Sequence, residues 1–109
     1  MMRSIVLAMG LLLAAPVVRA DEPLRFNLVI RDHKFVPAEI HVPTGKPVIL
    51  VIENQDSTPE EFESNALKIE KVVPAGQTLA VRLRPLGPGR FPFFGDYHQD
   101  TAQGAVISE

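Results

Sequence analysis

The side chains of this 109-residue sequence that are best suited to chemistry are three histidines and a cluster of neighbouring carboxylates. The residues concerned are His33, His41, His98, Glu60, Glu61 and Glu63. Imidazole and carboxylate groups bind borderline and hard metal ions, so the pattern directs attention to metal binding. The sequence contains no cysteine, and its three methionines all fall within the first nine residues. Sulfur ligation and thiolate nucleophiles are therefore excluded from the rest of the chain.

The acidic segment NQDSTPEEFES places three glutamates within four residues. In an extended strand, Glu61 and Glu63 share one face and Glu60 points to the other. Three adjacent carboxylates repel one another unless a cation or solvent screens them. Composition alone favours a solvated acidic loop, because charged side chains are usually exposed. A cation-binding segment is the alternative.

The second segment of interest is FPFFGDYHQDTAQG, which carries His98 just before the last predicted strand. Phe93, Phe94 and Tyr97 flank this histidine, and such an apolar collar would strengthen a bond to a metal. Asp96 offers a hard oxygen donor nearby. A single loop histidine is otherwise an ordinary surface residue.

The other two histidines differ in their predicted positions. His33 follows the first predicted strand. His41 alternates outward between Ile40 and Val42, which predicts a surface residue.

Motifs for several enzyme classes are missing. No serine sits in a G-x-S-x-G elbow, and no glycine-rich loop precedes a predicted helix. Enzymatic activity is therefore left uncertain, and a binding protein is favoured.

The first twenty residues have the pattern of a cleaved secretory signal peptide. Arg3 supplies a positive start, the apolar stretch runs from Ile5 to Val18, and Ala20 ends a small-residue cleavage pattern. A membrane anchor is the rival interpretation. The stretch is 14 residues long and contains Pro16, whereas a spanning helix needs roughly 20 apolar residues. We therefore expect a periplasmic location for residues 21–109.

The remaining chain is acidic. Nine basic residues face 13 acidic ones after residue 20, a formal charge of −4. No basic stripe is present to displace counterions, so a nucleic-acid partner is not expected.

Alternating and continuous apolar runs predict strands throughout residues 21–109. Residues 24–30 alternate, whereas Val48 to Ile52 is continuously apolar and is typical of a central strand covered on both sides. Further strands are predicted at Leu67–Val73, Leu79–Leu83, Phe91–Phe94 and Gly104–Ile107. No convincing helix is present, although a short helical turn within Glu60–Lys71 stays open. A single all-β sandwich or barrel is predicted.

Three segments together resemble the cupredoxin family. They are KFVPAEIHVPTGKPV, VIENQDSTPEEF and FPFFGDYHQDTAQGAVI. The pattern is similar to a small bacterial group related to the cupredoxin-like domain of EfeO-type iron-uptake proteins. The resemblance covers residues 21–109 and implies a Greek-key β-sandwich or barrel.

The resemblance also assigns the family's four copper ligands to positions in this chain. The first histidine falls on Glu60, the cysteine on Gly95, the second histidine on His98 and the methionine on Ala102. Only His98 is kept, so a blue-copper centre, which needs a thiolate, is not expected. The resemblance also places His33 at the same end of the sandwich as these positions. The implied metal ligands are Glu60, His98 and His33, with Glu61, Glu63 and Asp96 as weaker candidates.

The resemblance implies a periplasmic metal-binding protein with iron or copper as its ion. It would be an accessory of metal uptake, working with an inner-membrane permease and other periplasmic metal-binding proteins. Two alternatives stay open. One is a small component of a ferrous-iron oxidase, and the other is a metal-free interaction module that kept the fold.

Overall fold

The structure, a computed structural model, describes residue 10 and residues 22–109. The predicted signal peptide, residues 1–20, lies outside the described residues except for Gly10. Within the described part of the chain, no helix has the length and apolar character needed to cross a membrane.

Among residues 22–109, nine strands form two mixed sheets, which confirms the all-β prediction. The strands are β1 (Leu24–Arg31), β2 (Lys34–Val36), β3 (Glu39–Val42), β4 (Val48–Asn54), β5 (Glu60–Ser64), β6 (Ile69–Val73), β7 (Thr78–Leu83), β8 (Gly89–Gly95) and β9 (Gln103–Ser108). The first sheet has the order β2-β1-β4-β7 and the second has the order β3-β9-β8-β5-β6. Two pairs, β1 with β4 and β3 with β9, are parallel, and the other pairs are antiparallel.

The core lies between the sheets and is built by period-two alternation. In β1, Leu28 and Ile30 are buried while Arg25, Asn27 and Arg31 are exposed. Burial of apolar surface stabilises the folded state by about 25 cal/mol per Å². The inward side chains therefore supply the main stabilising contribution to this fold.

The central strand β4 differs from its prediction. Leu50 and Ile52 are buried between the sheets, but Ile49 and Val51 on the other face are only half-buried. In the part of the chain that the structure describes, no second layer covers the outer face of this sheet. Long side chains of neighbouring strands lie on that face, such as Arg82 opposite Ile49, and their apolar stems can shield it in part. The continuous apolar run therefore belongs to a central strand, as predicted, but only one face of its sheet is fully covered.

The start of one predicted strand shifts, and two turns differ from the prediction. The strand predicted from Leu67 begins at Ile69, because residues 65–68 form a turn in which Lys68 has φ 56°. Leu67 donates its backbone N–H to Ser64 Oγ across that turn. The window from Glu60 to Lys71 holds a strand, a turn and a strand, so the helical turn left open there does not form. A 3₁₀ turn over Asp96–His98 was not predicted.

Candidate metal centre

Three connections meet at one end of the sandwich and bring together the predicted ligands. His33 lies in the β1–β2 turn, Glu60 begins β5, and His98 ends the 3₁₀ turn between β8 and β9. Strand β5 pairs with β8 through Phe62 and Gly95, which sets Glu60 beside the 3₁₀ turn.

The β1–β2 connection is a two-residue turn with both residues left-handed, Asp32 at φ 52° and His33 at φ 57°. This geometry suits the right-handed twist of a hairpin but is costly for residues other than glycine. Asp56 offsets the cost, because its carboxylate accepts the backbone N–H groups of Asp32 and His33 at 2.8 and 3.0 Å. The Thr101 hydroxyl donates to the His33 carbonyl at 2.6 Å.

Of the three glutamates in the acidic segment, only Glu60 faces inward. Its exposed fraction is 1%, while Glu61 and Glu63 are half-buried on the outer face. The predicted alternation is confirmed, and the prediction of a solvated acidic loop is wrong for Glu60. Its Oε1 atom accepts the backbone N–H groups of Glu61 at 3.1 Å and Tyr97 at 2.9 Å.

His98 binds the second oxygen of the same carboxylate. Its Nδ1 atom lies 2.5 Å from Glu60 Oε2, so the imidazole and the carboxyl group are hydrogen-bonded to each other. The turn that follows the 3₁₀ element helps to fix this position, because the His98 carbonyl accepts the Thr101 and Ala102 backbone N–H groups. The His98 side chain retains 24% exposure, so its ring connects the buried carboxylate with solvent.

The environment of His98 differs from the predicted aromatic collar. Its ring stacks on that of His33, with centroids 3.5 Å apart and planes inclined by 12°. Phe93 instead packs in the core against Phe35 and Phe62, and Tyr97 is exposed. Side chains alternate along β8, so an aromatic run cannot surround one loop residue.

The three principal predicted ligands are brought together as a chain of contacts, Glu60 to His98 to His33. They do not form a preformed three-ligand shell. Among the described residues, the group whose potential ligand atoms all lie within 4.8 Å of one another is a different one, Glu61, Glu63 and Glu70.

That second group lies on the outer face of the sheet, away from Glu60 by strand alternation. Sequence reasoning missed Glu70, although a β5–β6 hairpin pairs it directly with Glu63. Desolvation raises the pKa of Glu61, and so do a hydrogen bond with Glu70 and the charges of Glu70, Asp96 and Glu63. Desolvation also raises the pKa of Tyr97, followed by the charge of Glu61 and a hydrogen bond with it.

Two remaining candidates have partners of their own. Asp96 Oδ1 accepts the Gln99 side-chain amide at 2.7 Å. His41 is exposed, as predicted, with Nδ1 2.7 Å from Glu109 Oε1. Sequence reasoning also missed Asn54, a buried residue that donates to the carbonyls of Thr58 and Val73 and holds the start of β5.

The chain is similar to a known protein family and to one curated protein. Residues 3–108 match the cupredoxin-like domain family. An uncharacterized protein of Rickettsia prowazekii (strain Madrid E) is 47% identical over 87 residues, which cover 80% of this chain and 70% of that protein.

Solved structures with a similar fold include two proteins described as binding copper. Auracyanin A, a "blue" copper protein from Chloroflexus aurantiacus, superposes with a TM-score of 0.69 at 12% identity, covering 81% of this chain and all of that one. The metal-binding domain of a Cu(I)-exporting P-type ATPase from Streptococcus pneumoniae gives a TM-score of 0.72 at 14% identity, covering 84% and 91%. At these identities the likeness concerns the fold. Together with the family match, it shows that this chain belongs to the cupredoxin-like domain family.

Proposed function

We propose that this protein is an exported metal-binding protein that serves iron or copper uptake and holds a divalent ion at a site without sulfur ligands. Glu60 and His98 are the principal ligands, and His33 is the third. The observation that carries the proposal is the buried Glu60 carboxylate, hydrogen-bonded to His98 Nδ1 at the end of a cupredoxin-like sandwich.

A blue-copper ion does not fit these residues. Such a site needs a thiolate in a trigonal set with two imidazoles, and the chain has no cysteine. The space beside Gly95, at the position aligned with the cysteine, is filled by the Glu60 carboxyl group. No electron-transfer step of the blue-copper kind is therefore assigned to this protein.

A harder or borderline ion fits the chemistry of the donor set. One carboxylate and two imidazoles suit Fe(II), Cu(II) or Mn(II). The Glu60 and His98 atoms that would bind an ion are hydrogen-bonded to each other at 2.5 Å. The proton between them would therefore have to leave before both atoms could act as ligands. An ion there would supply Lewis acidity, and a redox-active one could also exchange electrons.

The proposed cellular setting follows from the resemblance to EfeO-type iron-uptake proteins. A signal peptide over residues 1–20 would export the chain to the periplasm. There the protein would hold ions for an inner-membrane permease, together with other periplasmic metal-binding proteins.

Calorimetric titration of the metal-free protein with Fe(II), Mn(II), Cu(II) and Zn(II) tests the proposal, with Fe(II) handled without oxygen. We expect binding of at least one ion and at least tenfold weaker binding in the double variant Glu60→Ala, His98→Ala. A His41→Ala variant is the matched control, because His41 is exposed and distant in the fold from Glu60. Equal affinity in the double variant and the wild-type protein would refute the site.

A metal-free interaction module is the second candidate, and one observation favours it. Within residues 22–109, no buried side-chain nitrogen or oxygen lacks a hydrogen-bond partner, so the Glu60–His98 pair is satisfied without an ion. No binding of any of the four ions would support this candidate. An oxidase component would differ from both candidates in oxidising Fe(II) with multiple turnovers in the presence of oxygen.

A further inference from the structure

We propose that Gly95 selects the oxygen donor of this site, because the Glu60 carboxyl group occupies the space that a side chain at position 95 would fill. A carboxylate at position 60 and a side chain at position 95 therefore exclude each other. The part of this inference that concerns metal specificity rests on the proposed function. The steric exclusion between positions 60 and 95 does not depend on a metal.

The backbone does not require glycine at position 95. Gly95 has φ −94° and ψ 111°, an extended conformation that any residue adopts. The glycine is buried, and its backbone N–H donates to the Ala102 carbonyl at 2.8 Å. The lack of room for a side chain is therefore what favours glycine at position 95.

The available space is filled on two sides. A Cβ atom at position 95 would lie 2.6 Å from Glu60 Cδ, 2.8 Å from Glu60 Oε1 and 2.7 Å from Ala102 Cβ. Non-bonded carbon atoms are attractive only from about 3.5 Å outward, so all three approaches are repulsive.

Neither partner in the collision moves easily. The Glu60 carboxylate is held by the Tyr97 and Glu61 backbone N–H groups and by His98. Gly95 is fixed by its pairing with Phe62 in the neighbouring strand. A side chain at position 95 must therefore displace the carboxylate from His98 Nδ1, and the site loses its oxygen ligand.

The positions aligned with the family's sulfur ligands are Gly95, whose Cβ space the Glu60 carboxyl group fills, and Ala102, whose Cβ atom borders the same space. The absence of a side chain at position 95 admits the carboxylate, and the carboxylate in turn closes the space to a thiolate. The selection of a harder ion thus depends on Gly95 as much as on Glu60.

A double-variant cycle between positions 60 and 95 in an Ala102→Gly background tests the exclusion. The background removes the collision with Ala102 Cβ and leaves only that with the carboxyl group. The cycle compares the background with its Gly95→Ala, its Glu60→Ala and its combined variants. Melting temperature and the ¹⁵N signals of the His98 ring are measured on metal-free protein, and Mn(II) affinity is measured by the electron paramagnetic resonance of the free ion.

We expect Gly95→Ala to lower the melting temperature by roughly 10 °C or more when Glu60 is present. The same change should have little effect once Glu60 is alanine. The His98 signals of the Gly95→Ala protein should match those of Glu60→Ala, and Mn(II) affinity should fall at least tenfold. Gly87→Ala in the same background controls for the glycine-to-alanine change, because nothing lies within 4 Å of its Cβ position.

Additive effects on melting temperature, or unchanged His98 signals and Mn(II) affinity in Gly95→Ala, would overturn the inference. If Gly95→Ala fails to fold, folding of the combined variant supports the exclusion and failure of both overturns it. A wild-type protein that binds no Mn(II), Fe(II), Cu(II) or Zn(II) refutes the proposed function, and the metal-free readouts then still decide the exclusion.

Discussion

Burial of a carboxylate is costly unless its oxygens receive hydrogen bonds. Glu60 meets this condition with two backbone N–H groups and the His98 imidazole, all contributed by its own strand or by the 3₁₀ turn. In the metal-free protein, the residue therefore ties β5 to the β8–β9 connection.

Replacement of Glu60 by alanine should destabilise the metal-free protein by roughly 2–4 kcal/mol, because it leaves buried donors without an acceptor. Urea denaturation at neutral pH measures the free energy of unfolding. Glu63→Ala is the matched control, since Glu63 lies on the outer face of the same strand, and its effect should stay within about 0.5 kcal/mol. Equal losses in both variants would contradict the assigned role of Glu60.

The raised pKa of Glu61 gives a pH-dependent prediction at a second residue. Desolvation and the neighbouring Glu70 make the ionised form less favourable in the folded protein than in the unfolded chain, where the pKa is near 4.5. The folded state therefore binds the proton more tightly. This contribution to stability falls as pH rises from about 4.5 through the folded pKa, and the penalty is complete above it.

Glu70→Gln removes one charge of this group and should lower the pKa of Glu61 towards 4.5. We expect a gain in stability at pH 7 that disappears at about pH 3.5, below both pKa values. Urea denaturation at the two pH values and carboxyl ¹³C titration measure these effects. Glu53→Gln, an exposed position on the other sheet, is the control. A gain of equal size at both pH values would show that the charge of Glu70 is not the cause.

The absence of sulfur at Gly95 and Ala102 determines the optical behaviour of copper-loaded protein. Intense blue absorption arises from a thiolate bound to Cu(II). We therefore expect only weak absorption across the visible range after addition of Cu(II), measured by spectrophotometry. A strong band at the red end would contradict the assignment of Glu60 as the replacement ligand.

At the scale of elements, the sequence predicts strands well where one face meets the core. The alternation of β1 and the opposed faces of Glu60 and Glu61 follow from the two-residue period of a strand. The Asp32–His33 turn was not predictable, since its left-handed residues depend on the Asp56 carboxylate, which lies 23 residues beyond His33. The 3₁₀ turn at Asp96–His98 is three residues long and leaves no periodic pattern.

The packing of β9 beneath the β2–β3 connection gives a prediction for one glycine. A Cβ on Gly104 would lie 2.4 Å from the Ala38 carbonyl oxygen and 2.6 Å from the Phe93 ring. Gly104→Ala should therefore destabilise the fold by about 1–3 kcal/mol in urea denaturation. Gly87→Ala, which meets nothing within 4 Å, should change stability by less than about 0.5 kcal/mol. Similar values for the two variants would contradict the close approach of the backbones.

At the scale of the whole molecule, the candidate site exists only in the folded chain. His33, Glu60 and His98 are distant in sequence and meet because the β1–β2, β4–β5 and β8–β9 connections share one end of the sandwich. Residue types and the family resemblance pointed to these three side chains before the structure was known. The direct bond between Glu60 and His98 could not be predicted, because it depends on the β5–β8 pairing and on the space beside Gly95.

A site assembled in this way must stabilise the fold when it binds an ion, because the unfolded chain offers no comparable set of ligands. An ion at 100 times its dissociation constant adds about 2.7 kcal/mol. In a domain of this size, that corresponds to a rise in melting temperature of roughly 10–20 °C. Calorimetric scans with and without the tightest-binding ion, followed by addition of a chelator, measure the rise and its reversal. The Glu60→Ala, His98→Ala double variant should show no rise, whereas His41→Ala should behave as the wild-type protein does. An equal rise in the double variant would place the ion elsewhere, with the outer group of Glu61, Glu63 and Glu70 as the next site to vary.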